Sequence, residues 1–336
     1  MSKVELFHGD CFDWVKDIPD NSIDLIICDL PYGTMRGTKL DGWENKTTYW
    51  DIQLDIDKMF TEYERILREN GNIILFSQEP YTSKLRTYKQ DNIEFAYPLI
   101  WKKNHFANYL YSKKAPVNYF EDLSVFYKKY DSNNQNELRI YFKELQRYIN
   151  INKKEIIRIL GQKSDHTFRT DSMQFKICTG ETYNEMIDKL KINEWQGFKS
   201  YDELKNINQK YNRVFNLQKN SRIKSNILEY EKERQRFHPT QKPVALLEDL
   251  IKTYSNEGET VLDNCMGSGS TGVACVRNGR NFIGMELDEK YFEIAKNRIE
   301  DEIKKAENHA ECEPFWNLST GETNVGGICF EGNAGL

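Results

Sequence analysis

The sequence predicts an α/β protein with a doubly wound, mostly parallel sheet, interrupted by a mainly helical insert. Three observations carry that expectation. Leu25 to Cys28 is an unbroken apolar run, the pattern of a central strand covered on both faces. Strand and helix patterns alternate from Val4 to Tyr127 and resume after Phe237. Between them, from about residue 131, Asn and Lys become frequent and the periodicity turns helical.

Val4–Phe7 reads as the first strand, His8-Gly9-Asp10-Cys11 as a loop and Phe12–Ile18 as a helix. Pro19-Asp20-Asn21 then turns the chain into the apolar strand, which makes a βαβ unit with a right-handed crossover. Pro31 cannot donate to a ladder, so this strand ends by Leu30. A carboxylate (Asp29), a free carbonyl (Leu30) and an aromatic ring (Tyr32) are thereby left at the carboxyl end of a sheet strand, where open α/β sheets bind ligands. An ordinary strand-to-loop turn, with Asp29 capping and Tyr32 packing, accounts for the same residues equally well. Residues 34–50 read as a polar loop containing Gly37, Gly42, Trp43 and Trp50. Apolar positions from Leu54 to Leu67 recur at helical spacing until Asn70-Gly71 stops them. Asn72–Ser77, Tyr97–Trp101 and Leu123–Tyr127 are the remaining strands of this half.

The insert, 131–236, carries helical patterns at Leu138–Ile149, Lys153–Leu160, Thr182–Leu190 and Tyr201–Tyr211. The second ends in Gly161, a loop with Lys163, His166, Arg169 and Gln174 follows, and Glu181-Thr182 opens the next helix. The layout is that of a helix-turn-helix element with a long turn; a helix pair without any nucleic-acid role has the same pattern. After Phe237, His238-Pro239-Thr240-Gln241-Lys242-Pro243 leads into a helix over Val244–Thr253. A strand (Thr260–Asp263), a glycine-rich turn, a helix (Thr271–Asn278), a strand (Asn281–Met285) and a helix (Lys290–Lys305) follow, and 311–336 is an aperiodic tail. The expected organisation is therefore 1–130 and 237–310 as two parts of one domain, 131–236 as the insert and 311–336 as the tail.

Composition narrows the function classes. The chain has 336 residues and no apolar run near the ~20 needed to cross a bilayer. Met1-Ser2-Lys3 leads straight into a strand, without a secretory leader. Seven cysteines, with no Cys-x-x-Cys pair, fit a reducing cytoplasm and not a disulfide framework, and no metal site is read. The net charge of −5 conceals an asymmetry: 23 Lys and Arg stand against 15 Asp and Glu over 128–236, a net +8, which leaves −13 elsewhere. A second basic stretch, 84–116, holds Lys102, Lys103, Lys113 and Lys114. A localised basic footprint on an acidic protein is what a nucleic-acid enzyme presents, although solvated surfaces are often uneven in charge.

Asp263-Asn264-Cys265-Met266-Gly267-Ser268-Gly269-Ser270-Thr271-Gly272 is a strand end, a tight glycine turn and a helix start. Gly267 and Gly269 allow a ligand close to the backbone, and the helix N-terminus offers unpaired N–H groups. Glu286, at the end of the next strand, is spaced to accept ribose hydroxyls. Gly267, Gly269 and Gly272 also satisfy Gly-x-Gly-x-x-Gly, so these residues alone leave a nucleoside and a dinucleotide ligand both open.

Taken together, Asp29-Leu30-Pro31-Tyr32, the glycine turn with Glu286, and His-Pro-Thr-Gln-Lys-Pro resemble the S-adenosylmethionine-dependent DNA amino-methyltransferases, in the β arrangement where the tetrapeptide precedes the glycine turn. The resemblance covers about 1–130 and 237–305. It implies a Rossmann-like methyltransferase fold, S-adenosyl-L-methionine as cofactor and double-stranded DNA as partner; a cognate restriction endonuclease and a homodimeric state are compatible with it. It implies that Asp29 and the Leu30 carbonyl accept from the exocyclic amino group of a flipped base, with Pro31 shaping the corner and Tyr32 stacking on the base. The family usually has proline where this chain has Leu30. Asp263, Cys265, Gly267, Ser268 and Gly269 would hold the methionine part of the cofactor and Glu286 its ribose, with Asp10 near the adenine and Lys242 beside the pocket. A helix-capping Asp10 and a surface Lys242 are the plain alternatives. The insert becomes the target-recognition part, and Lys102, Lys103, Lys113, Lys114, Lys163, His166, Arg169 and Gln174 the candidate DNA contacts. Asp at the first motif position implies adenine N6; cytosine N4 methylation and a catalytically inactive DNA-binding protein are the alternatives.

Overall fold

A computed structural model of the chain describes residues 2–33, 51–107, 112–129, 136–218, 221–233, 237–238 and 240–311. The loop expected over 34–50 and the tail from 312 onward lie outside the described residues.

Eight strands form a single sheet: β1 (Val4–His8), β2 (Ile23–Asp29), β3 (Leu67–Ser77), β4 (Ile93–Ala107), β5 (Asn118–Lys128), β6 (Ile227–Glu229), β7 (Thr260–Asp263) and β8 (Asn281–Glu286). Their spatial order is β1-β8-β7-β2-β3-β5-β4-β6. The first five in that order run parallel, β5 runs against both its neighbours, and β6 lies parallel to β4. The sheet is mostly parallel, as expected.

Period-two alternation sorts the side chains of β2 and β3 onto two cores. Leu25, Ile27, Ile74 and Phe76 face α8 (Val244–Tyr254), α9 (Ser270–Arg277) and α10 (Glu289–Glu311). Ile26, Cys28, Ile73 and Leu75 face the layer of α1 (Cys11–Trp14), α2 (Ile56–Ile66) and α3 (Tyr81–Thr87). Helices on both faces explain why β2 reads as a continuous apolar run. Each large side chain so buried, such as Phe60 or Phe76, contributes roughly 1.5–3 kcal/mol of transfer free energy.

Several expected boundaries shift. The helix expected over Leu54–Leu67 starts at Ile56, because Asp55 accepts from the Lys58 N–H as its N-cap, and ends at Ile66. Asn70-Gly71 does not stop that helix. β3 has already begun at Leu67, paired with Ile23, and Asn70 at φ 64° sits in an irregularity of the strand pairing. The helix expected over Phe12–Ile18 is one α-turn followed by a 3-10 turn, Val15–Asp17. The strand expected to end at Trp101 runs on to Ala107, and α10 continues past Lys305 to Glu311.

Within the insert, α4 (Glu137–Ile149), α5 (Lys153–Leu160), α6 (Gly180–Leu190) and α7 (Tyr201–Lys210) enclose their own core of Phe142, Leu145, Ile156, Tyr183, Met186 and Leu204. Nineteen residues separate Leu160 from Gly180, and a 3-10 segment (Gln162–Phe168) fills part of them. That span is the long turn expected between these helices, well beyond the roughly 3–4 residues of the DNA-binding motif. The module is anchored at the start of β3. Arg139 pairs with Glu69 at 3.0 Å, Asn70 donates to the Tyr211 carbonyl at 2.8 Å, and Arg68 donates to the Asn212 carbonyl at 3.3 Å. From there the chain returns along α8, where the Asn216 N–H donates to the Thr253 carbonyl at 2.7 Å, and adds β6 to the sheet edge.

Candidate active site

β1, β8, β7 and β2 are parallel neighbours, so the residues just beyond their carboxyl ends meet at one edge. A cleft of about 970 Å³ opens there, and it is lined by both Asp29 and Gly267. The two motifs lie more than 200 residues apart in sequence and share one cavity because β2 is inserted next to β7.

The glycine turn is held from several sides. The Met266 N–H donates to the Met285 carbonyl and the Gly269 N–H to the Met266 carbonyl, at 2.9 and 2.8 Å. Gly269 has φ +78°, and a Cβ there would stand 2.9 Å from the Ala295 backbone, so α10 packs where only hydrogen fits. Gly267, at φ +53°, would point a Cβ into open space, which leaves a bare backbone cradle facing the cleft. Asp263 is buried and accepts from the Cys265 N–H at 3.1 Å and the Thr271 hydroxyl at 2.6 Å, thereby tying the end of β7 to the start of α9. Ser268 donates to Gln241 at 3.3 Å, and its carbonyl accepts from Arg298.

Glu286 ends β8 with its Oε2 accepting from the Gly267 N–H at 2.8 Å and its Oε1 from the Asp288 N–H at 2.9 Å. Burial pushes its carboxyl up to about 7, and burial does the same to Asp263, also to about 7. Asp10 is exposed at the cleft mouth, where it caps α1 by accepting from the Phe12 N–H at 2.9 Å. It serves the helix whatever else it touches.

At the other end of the cleft, Tyr32 donates to Asp29 Oδ1 at 2.7 Å. Gln53 donates to the Tyr32 carbonyl at 2.6 Å, and the Gly33 N–H donates to Asp51 at 2.8 Å, so residues 51–53 brace the corner. Leu30 is buried and Pro31 half-buried. Lys242 Nζ donates to Asp29 Oδ2 and also lies 3.2 Å from Glu121 Oε2. Lys103 pairs with Glu121 Oε1. Two carboxylates and two ammonium groups thus form one buried, electrically balanced cluster. Asp29, with 23% of its side chain open to the cleft, is pushed upward by burial against the pull of Lys242. Burial would raise Glu121 too, but Lys242 and then Lys103 outweigh it and leave its carboxyl below the usual range.

One lysine therefore occupies a place that differs from the one expected. Lys103 is not a DNA-facing cation: it is 5% exposed and committed to Glu121, because Trp101 and Lys103 turn inward on β4 while Lys102 turns out. Lys242 lines the cleft and is not the surface residue of the plain alternative; it is buried against Asp29, with Phe76 5.2 Å beneath its ammonium. Lys102, toward the carboxyl end of β4 and paired with Glu229 at 2.9 Å, and Lys113 and Lys114, beyond β4, are exposed. Lys163, His166, Arg169 and Gln174 are not brought to the cleft, because the insert is anchored at the opposite end of β3. They engage one another and their neighbours: Lys163 pairs with Glu185, Arg169 with Asp165 and Gln174, and His166 Nδ1 contacts the Gln174 carbonyl at 3.0 Å.

Sequence reasoning missed Glu121 and His238. Glu121 stands in register with Trp101 across the β4–β5 pair, and following β5 back from Leu123 to its real start at Asn118 reveals the match. His238 is buried against Tyr291, with ring centroids 4.2 Å apart, and burial pulls it down to about 3, so it is neutral.

Comparisons with known proteins agree with this geometry. The model of the family described as DNA methylase matches residues 23–297. The DNA adenine methyltransferase YhdJ of Escherichia coli (strain K12) is 27% identical over 303 residues, covering 88% of this chain and 82% of that one. The type II methyltransferase M.HinfI of Haemophilus influenzae is 24% identical over 319 residues, covering 91% and 70%. Among solved structures, the complex titled M1.HpyAVI-SAM superposes with a TM-score of 0.50 at 20% identity, over 88% of this chain and 99% of that one, which is a likeness of fold. With the family match spanning both motifs and the insert between them, the chain belongs to the DNA methylase family.

Proposed function

We propose that this chain transfers the methyl group of S-adenosyl-L-methionine to the exocyclic N6 amino group of adenine in double-stranded DNA, acting on a base flipped out of the duplex. The observation that carries the reading is the single cleft in which the Asp29 corner faces the glycine turn. The residues present fit the cofactor. The open cradle at Gly267 suits a close-lying amino-acid moiety, Glu286 suits a ribose, and Ser268, Asp263 and Cys265 keep the turn in shape. When bound, that cofactor supplies a methyl group on a sulfonium, a good leaving group.

The protein's part is placement. Asp29 and the Leu30 carbonyl accept hydrogen bonds from the amino group and hold its lone pair toward the methyl, while Pro31 keeps the corner extended. Tyr32 stacks on the flipped base, which requires its hydroxyl to leave Asp29 Oδ1. Asp at the first motif position and the relative named as an adenine methyltransferase favour adenine N6 over cytosine N4. The intact corner speaks against an inactive DNA-binding protein. Lys102, Lys113 and Lys114, which are exposed, are the proposed contacts to the phosphates of the duplex. A cognate endonuclease, by analogy with the type II relative, and a homodimer are further proposals.

Incubation with tritiated cofactor and unmethylated DNA is the test, followed by digestion and identification of the labelled nucleoside. Label in N6-methyladenine is expected. DNA binding without label would mark an inactive binder, and label in N4-methylcytosine would change the target. Binding should also weaken steeply as salt rises, since released counterions drive phosphate contacts; a flat salt response would remove the phosphate footprint.

A further inference from the structure

We propose that Glu121 is a positioning residue for methyl transfer: it receives Lys242 when the Asp29 carboxylate is required by the amino group of the target base. This inference rests on the function proposed above and adds a step to it. In the structure both Asp29 oxygens are engaged, Oδ1 by the Tyr32 hydroxyl and Oδ2 by Lys242. An amino group entering the corner therefore meets an occupied acceptor. Tyr32 is released as it stacks on the base, but a cation left on Oδ2 still competes for the electron density that the amino group needs.

Besides the Thr240 carbonyl, which accepts from its ammonium at 3.3 Å, Lys242 has a prepared carboxylate partner. Its ammonium lies 3.2 Å from Glu121 Oε2, a buried oxygen that accepts no aligned hydrogen bond in this state. A buried carboxylate oxygen without an aligned donor is costly, and a nearby ammonium that turns toward it removes that cost. The other oxygen, Oε1, is already taken by Lys103, so Glu121 stays ionised and the second oxygen stays available. Four groups, Lys103, Glu121, Lys242 and Asp29, carry two positive and two negative charges. Moving one ammonium between two carboxylates keeps that balance inside the protein, whereas sending it to water would leave the two carboxylates with Lys103 as their one counter-charge. The backbone of Lys242 is fixed just before Pro243, the N-cap of α8, and Phe76 closes the space beneath the ammonium, so the flexible stem swings over a short, confined path.

The test uses the full chain, tritiated S-adenosylmethionine and unmethylated genomic DNA in single-turnover experiments. Equilibrium binding of the cofactor is measured in parallel. Glu121→Gln should slow transfer by about tenfold to a hundredfold, the scale expected when a reacting group is misplaced. Cofactor affinity should not change, and Glu121→Asp should recover most of the rate. Lys103→Met/Glu121→Gln removes the pair together and leaves no buried lone charge, so it serves if the single variant does not fold; the same slow transfer is expected. A full rate in either glutamine variant overturns the inference, as does a loss that Asp fails to rescue or that tracks weakened cofactor binding. A wild-type chain that labels no DNA overturns the proposed function, and this inference with it. Labelling by the wild type together with a full rate in Glu121→Gln overturns this inference alone.

Discussion

The two ends of the sheet treat charge in opposite ways. At the cleft end, Glu121, Lys103 and Lys242 are buried around a half-buried Asp29, and Asp263 and Glu286 are held up at about 7 by desolvation. In the insert anchored at the other end, Asp165 is lowered to about 2 by hydrogen bonds from Arg169 and Lys153, and the pairs Lys163–Glu185 and Lys189–Glu185 stand in solvent. The insert region has the larger excess of positive charge, yet the two carboxyls raised to about 7 by lost water lie at the cleft end. Counting charges along a chain thus locates solvated surface, whereas functional carboxylates are found by asking which ones have lost water.

The largest effect that would test this contrast is at Asp29. Asp29→Ala should reduce methyl transfer by about a thousandfold or more while cofactor binding stays near normal. Substantial retained activity would remove Asp29 from its assigned role. Gly269→Ala comes next: the left-handed backbone and the 2.9 Å approach to Ala295 should cost about 2–3 kcal/mol of stability in thermal or urea unfolding and weaken cofactor binding. An unchanged midpoint would mean that α10 yields at that point.

A smaller effect concerns pH. Glu286 has an ordinary value of 4.5 and a folded value of about 7. Between these two values the folded chain holds a proton that the unfolded chain has lost, so this contribution is full below 4.5 and disappears as pH rises to about 7. Glu286→Gln should flatten that part of the stability profile of the cofactor-free protein; an identical slope would show that the carboxyl is better hydrated than its surroundings imply. The smallest effect is expected in the insert. Lys163→Ala and Arg169→Ala should leave the transfer rate unchanged, since both side chains are engaged within the insert, and a clear loss would place them on the DNA.

Most of the sheet was legible because parallel strands advertise themselves as apolar runs and glycine turns as punctuation: Ile23–Asp29 and Thr260–Asp263 fall where the pattern puts them, as does the insert helix Lys153–Leu160 that Gly161 ends. The errors have local causes. Ending β4 at Trp101 hid the alternation that sends Lys103 inward and Lys102 outward, so one residue of a basic run was assigned to the wrong face. Asn70-Gly71 has the composition of a helix stop but serves a strand irregularity, because pairing with Ile23 had already claimed Leu67. The Lys242–Asp29 pair joins residues 213 apart, and no local pattern encodes it.

The interleaving of β7 between β8 and β2 also bears on how the chain comes to exist. During synthesis, β2 and β3 emerge long before Thr260–Asp263, and until then the apolar β2 has one unpaired edge. Exposed edges of that kind are prone to improper pairing, and contacts between such distant segments form slowly. A ribosome that stalls before the last quarter of the message therefore releases a fragment with a sticky half-sheet and no cleft at all. Length control and chaperone shielding matter more for this topology than for one whose strands pair in the order they are made.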